Sequence, residues 1–171
     1  MPPDGTSDFF GETEDGTFGI RIPAEVLVQI SGWCQEAKNC ETGGILVGSY
    51  TRRHTVAEVV EALPATPDSK AGRIWFFRGV AGLNRLLNRY WKRKRLYYLG
   101  EWHFHPSGRP TSSPRDCAQM QEIAQCDQYA CPEPVLLVIG GTSGSWTFGA
   151  FVFPGSSPCA ELIRRRDGAK A

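Results

Sequence analysis

A chain of 171 residues and 18.9 kDa, with a formal charge of +1 and 41% apolar residues, is too rich in core formers to be disordered and too evenly polar to span a membrane. One domain of this length buries about 70% of the surface its unfolded form exposes, so neither a second domain nor disulfide staples are required. The balanced charge excludes nucleic-acid binding over the whole surface, and any basic partner site has to be local.

Residues 1–16 are polar and acidic through Asp4, Asp8, Glu12, Glu14 and Asp15 and read as a flexible leader without the basic start and apolar stretch of a signal peptide. The longest apolar run, residues 135–139, falls far short of the roughly 20 residues of a membrane helix, which places the chain in the cytoplasm with reduced thiols. Residues 17–22 alternate as a short strand does, and Pro23 then opens a helix whose apolar face is Val26, Leu27, Ile30, Trp33 and Cys34. Residues 42–48 and 54–63, joined by a polar turn, predict an antiparallel hairpin, with His54 an ordinary strand residue. A loop at 64–72 leads to a strand at 73–77 and a helix from Gly79 with Val80, Leu83, Leu86, Leu87 and Tyr90 on its buried side.

The basic run Lys92-Arg-Lys-Arg95 reads as a solvated helix end, with a nucleic-acid site over 89–95 as the competing reading. A central strand at 96–104, a loop at 106–114 and a third helix from Pro114 to about Gln128 follow. Strands at 135–139 and 146–153 complete the domain, and 154–171 reads as a loose tail. The order predicts an α/β or α+β sandwich: a single mixed, largely antiparallel sheet flanked by two or three helices, one domain over 17–153. The six cysteines form no Cys-x-x-Cys pair, and most are expected to be small buried hydrophobes.

The chemistry concentrates in Glu101-Trp-His-Phe-His-Pro106, which holds two of the three histidines. Residues i and i+2 of a strand share a face, so His103 and His105 point at one spot while Phe104 packs behind. Asp116, in the first turn of the third helix, can add an oxygen. Two imidazoles and a carboxylate leave one tetrahedral position open, the pattern of a catalytic zinc site. The blander reading of Ser113-Pro-Arg-Asp116 is a helix start, with Ser113 as cap, and the two readings are compatible. A general base is then needed. Glu101, on the histidine face, and Glu41, before the close-packing glycines Gly43 and Gly44, compete for that role, and spacing does not choose between them. Neither Cys40 nor Cys117 has a histidine left over to make it a nucleophile.

The set Glu41-Thr-Gly-Gly-Ile-Leu-Val-Gly48, then His103-Phe-His105-Pro106, then Ser113 and Asp116, resembles the JAMM (MPN+) motif of the Mov34/JAB metalloproteases. The resemblance spans about Thr17 to Phe153 and implies the MPN/JAB, cytidine-deaminase-like sandwich. It implies one zinc per chain on His103, His105 and Asp116, Glu41 as general acid/base, Ser113 as oxyanion donor and Glu101 as a supporting residue. Phe104 departs from the Ser or Thr of many relatives, on the face away from the metal. The chain is most similar to bacterial JAB deconjugating peptidases of type II CBASS and ubiquitin-like anti-phage operons. That similarity implies cleavage after the carboxy-terminal residue of a CD-NTase-type cyclase or ubiquitin-like modifier attached to a target, with the operon's activating and conjugating enzymes as indirect partners. Neither nucleic acid nor membrane is an implied partner. The loop at 64–72 is the candidate for holding the modifier tail as an added strand. The competing class is a non-catalytic MPN scaffold or binding module.

Overall fold

The computed structural model describes residues 7–51, 53 and 55–165, so His54 lies outside the described residues. Strands β1 (Phe9–Glu12) and β2 (Gly19–Ile22) lead into helix α1 (Ala24–Ala37), then the long strands β3 (Thr42–Thr51) and β4 (Val56–Leu63). A small hairpin, β5 (Lys70–Ala71) and β6 (Phe76–Phe77), precedes α2 (Leu83–Lys94), β7 (Tyr97–Pro106) and α3 (Pro114–Gln125). After a 3-10 turn at Asp127–Tyr129 come β8 (Val135–Thr142), β9 (Ser145–Val152), β10 (Ala160–Glu161) and β11 (Ile163–Arg164).

Among the described residues, nine strands form one sheet in the order β10-β9-β8-β7-β3-β4-β2-β1-β11. Only β2 with β4 and β7 with β8 run parallel, so the sheet is mixed and largely antiparallel, as the sequence predicts. Both faces of its centre are covered. Along β8, Val135, Leu137 and Ile139 join the core against Leu27 and Ile30 of α1, while Leu136 and Val138 join Met120 and Ile123 of α3. An unbroken apolar run is what a strand covered on both faces requires.

The predicted face of α1 is buried at Val26, Leu27, Ile30 and Cys34, and Trp33 stacks on Trp102 with ring centroids 5.5 Å apart. Trp102 reaches across β3, where its indole Nε1 donates to the Leu63 carbonyl at 2.9 Å. Gly44 makes this possible, since a Cβ there would stand 1.9 Å from that same carbonyl oxygen and 2.8 Å from the indole nitrogen. Backbone cannot yield as a side chain does. Gly44→Ala is therefore expected to cost about 3 kcal/mol, the upper part of the usual overpacking range, read from the midpoint of chemical denaturation.

Five expectations are corrected. The leader is not wholly flexible: Phe9–Glu12 pairs with β2, and the Asp8 carboxylate accepts from Ala24 N at 2.8 Å, capping α1 from a distance. The tail is not loose over 160–164, because β10 pairs with β9 at one edge of the sheet and β11 with β1 at the other. The five residues 160–164 thus bridge both edges, with Leu162 buried between them. The expected strand at 73–77 shrinks to Phe76–Phe77, and the helix begins at Leu83 because Gly82 is left-handed, which leaves Val80 exposed. Only Cys34 and Cys131 of the cysteines are buried, and all six are free. The basic end of α2 is exposed as expected, with Lys94 on Glu61 and Arg95 over Trp91.

Candidate active site

Strand β7 sets the site. Trp102 and Phe104 turn toward α1, and Phe104 meets Trp146 edge-on at 5.6 Å. Glu101, His103 and His105 turn the other way, toward α3. His103 Nδ1 lies 2.7 Å from Asp116 Oδ1 and His105 Nε2 lies 3.3 Å from Asp116 Oδ2. Proline at the first position of α3 and Ser113 as its cap bring Asp116 to this place. Ser113 Oγ accepts from Asp116 N at 3.1 Å, and Asp116 Oδ2 accepts from Ser113 N at 2.7 Å, a complete capping box. The helix-start reading and the convergence of the donors therefore hold together.

Behind His103, the Glu101 carboxylate is fully buried and fully engaged. Its Oε2 lies 3.0 Å from His103 Nε2 and accepts from Gln119 Nε2 at 3.1 Å, while Oε1 accepts from Arg78 Nε at 2.6 Å and from the Tyr98 hydroxyl at 3.4 Å. Tyr98 and Glu101 share a face despite odd spacing because β7 bulges at Leu99-Gly100, where Leu46 pairs with Gly100 and Val47 with Tyr98. Gly100 is obligatory there, with φ +152° and space for a Cβ only 1.9 Å from the Val135 carbonyl oxygen.

Burial alone would push the His103 imidazole down, but the Asp116 and Glu101 carboxylates outweigh it and hold the ring up to about 9. Each ring nitrogen faces a carboxylate oxygen, and an ionised carboxylate only accepts, so this arrangement favours the protonated ring. Burial likewise works against an ionised Asp116, yet both histidines and the Ser113 N–H hold it well below the usual carboxylate range. Glu41 sits half-buried just before β3, with its backbone N–H donating to the Gly72 carbonyl at 2.8 Å. Burial pushes its carboxyl up, offset in part by His105 and reinforced by Asp116. The side chain thus lies in the field of the histidine and aspartate set and holds a proton more readily than an ordinary glutamate.

Among the described residues no group of three or more histidine, cysteine, aspartate or glutamate side chains is arranged around a metal position, and His103 and His105 lie directly against Asp116. A profile of prokaryotic homologs of the JAB domain matches residues 23–149. The chain belongs to this prokaryotic JAB family. A protein of Enterobacter hormaechei subsp. hoffmannii (strain UCI 50) described as a CD-NTase/cGAS isopeptidase is 44% identical over 148 residues, 85% of this chain and 82% of that protein. The JAB fold is also similar to a Desulfitobacterium hafniense protein solved in solution, with a TM-score of 0.56 at 16% identity over 81% of this chain and 86% of that one.

In this JAB domain the structure brings together every residue singled out from the sequence: Glu41, His103, His105, Ser113 and Asp116, with Glu101 directly behind His103. Glu101 is sealed from solvent by its partners, whereas Glu41 is only half-buried. The sequence does not reveal Arg78, Gln119 and Tyr129, which complete the buried network. The hairpin β5–β6 closes over the site: Gly72 holds Glu41, and Phe76 meets the His103 ring edge-on at 5.7 Å. Between this hairpin and α3 runs a groove of about 580 Å³ lined by Phe77, Val80, Arg115 and Glu122 among others. No helix among the described residues is long and apolar enough to cross a membrane.

Proposed function

We propose that this chain is a zinc-dependent isopeptidase that cuts the bond after the carboxy-terminal residue of a CD-NTase-type cyclase, or of a ubiquitin-like modifier, joined to a target protein. It thereby reverses conjugation in a bacterial anti-phage system. The observation that carries this reading is the convergence of His103 and His105 on Asp116 beside Glu41. Membership of the JAB family and the isopeptidase name of the 44% identical relative support the reaction and the substrate class.

The residues fit a zinc ion. Two imidazoles and one carboxylate are a borderline-soft donor set of the right count, and both rings already lie against the Asp116 carboxylate. His103, His105 and Asp116 would hold the ion, which supplies Lewis acidity that polarises a carbonyl and acidifies water. Glu41 takes the proton of the attacking water and delivers it to the departing amine, and its raised proton affinity suits both halves of that task. Ser113 Oγ spends a lone pair on the α3 cap, so its hydroxyl proton is there to donate to the developing oxyanion. The C–N bond breaks, the tail leaves as a carboxylate and the target lysine as an amine.

The test uses the full chain, stripped by a chelator and reloaded with one equivalent of zinc. A cyclase joined through its carboxy terminus to a lysine amine is released by the loaded chain, left intact by the stripped one and released again after zinc is restored. A parallel ubiquitin-like conjugate decides between the two modifiers. If the loaded chain releases neither, the reaction is refuted in favour of a non-catalytic scaffold.

A further inference from the structure

We propose that Arg78 and Glu101 form a buried positioning pair that orients the His103 ring and keeps the nitrogen facing Asp116 for a zinc ion, an inference that rests on the zinc reading of the site. Glu101 is 0% exposed in the middle of the sheet, and its side chain makes four contacts, to Arg78, Tyr98, His103 and Gln119. Such a carboxylate has no access to substrate. Burying it costs several kcal/mol unless it is paired, and a well-packed apolar residue would serve stability as well. Its geometry serves the histidine instead.

A carboxylate that accepts one ring N–H of a histidine fixes the ring's orientation and leaves the opposite nitrogen as the ligand. Glu101 Oε2 occupies that position on the far side of the ring from Asp116, at 3.0 Å. Arg78 Nε at 2.6 Å anchors the other carboxylate oxygen, and Arg78 is itself fixed by the Gly79 carbonyl at 3.0 Å and the Tyr129 hydroxyl at 2.7 Å. Phe76, two residues before Arg78, lies edge-on to the same ring. The segment 76–78 therefore holds His103 twice, once through Phe76 and once through Glu101.

The experiment compares the wild-type full chain with Glu101→Gln, which keeps the shape, and with the double variant Arg78→Met/Glu101→Leu, which removes both buried charges together. Zinc affinity, read by competition with a chromophoric chelator, is expected to fall about 10- to 100-fold in each, the range for loss of a ligand's supporting partner. For the conjugate, kcat falls with KM unchanged. Folded variants that keep zinc affinity within about twofold of wild type would overturn the proposal. A second measurement is independent of the variants and of zinc: long-range 1H–15N spectra of the metal-free wild type should show the Glu101-facing ring N–H of His103 in slow exchange. Free exchange of that proton also overturns it. A wild type that binds no zinc but shows the protected proton counts against the zinc reading and leaves Glu101 established as the residue that orients the ring.

Discussion

Glu41→Gln is expected to retain zinc at wild-type stoichiometry and to lose hydrolysis by about 100- to 10,000-fold, the usual contribution of a positioned general base. The amide keeps the size of the carboxylate, and the bond from the backbone N–H of residue 41 to the Gly72 carbonyl does not depend on the side chain. What goes is the capacity to take a proton. Single-turnover release of a conjugate, paired with metal analysis of the same sample, separates chemistry from metal loss. Glu101→Gln gives the opposite pattern, with weakened zinc, because Glu101 meets His103 rather than solvent. An active Glu41→Gln beside a dead, zinc-replete Glu101→Gln would reverse the two roles.

The placement of the candidate residues was legible in the sequence where local geometry governs it. Strand parity alone places His103 and His105 on one face and Phe104 on the other, and β7 is regular from Glu101 onward. Proline and serine before Asp116 announce a capped helix, and the capping box is there. Parity fails upstream of Gly100, where the bulge brings Tyr98 to the face of Glu101, and a lone glycine in a strand does not say which way a bulge turns. Arg78 was illegible for a different reason. A charged residue after a short strand reads as solvated, and its burial becomes tolerable through Glu101, 23 residues away, and the Tyr129 hydroxyl, 51 residues away. The strands of the leader and tail are likewise too short and too charged to show any period. They exist because a wide sheet has two edges to cover, and 160–164 covers both.

Asp116 caps α3 and, on the proposed reading, also holds the zinc ion, and two substitutions separate these roles. Asp116→Asn and Asp116→Ala are both expected to abolish hydrolysis and to weaken zinc beyond the roughly 100-fold that loss of a supporting partner costs, since on that reading a ligand itself is gone. In the chelated chains they diverge. Asparagine keeps an oxygen to accept from Ser113 N, whereas alanine leaves that N–H without its capping partner, so Ala is the less stable by about 1 kcal/mol. The charge effect has its own signature in pH. Folded His103 is held up to about 9 against an ordinary 6.5, so its contribution to metal-free stability is complete below the ordinary value and drains as pH rises through about 9. Asp116 is depressed, so its contribution is present above the ordinary carboxylate range and is lost as pH falls toward its lowered value. Removing the carboxylate takes away the acid-side loss and leaves Glu101 alone to hold the His103 proton. The urea midpoint of chelated Asp116→Asn should therefore fall less between about pH 7 and pH 10 than that of the chelated wild type. An unchanged alkaline slope would mean that Glu101 by itself holds that proton and that the 2.7 Å contact between His103 and Asp116 contributes nothing to it.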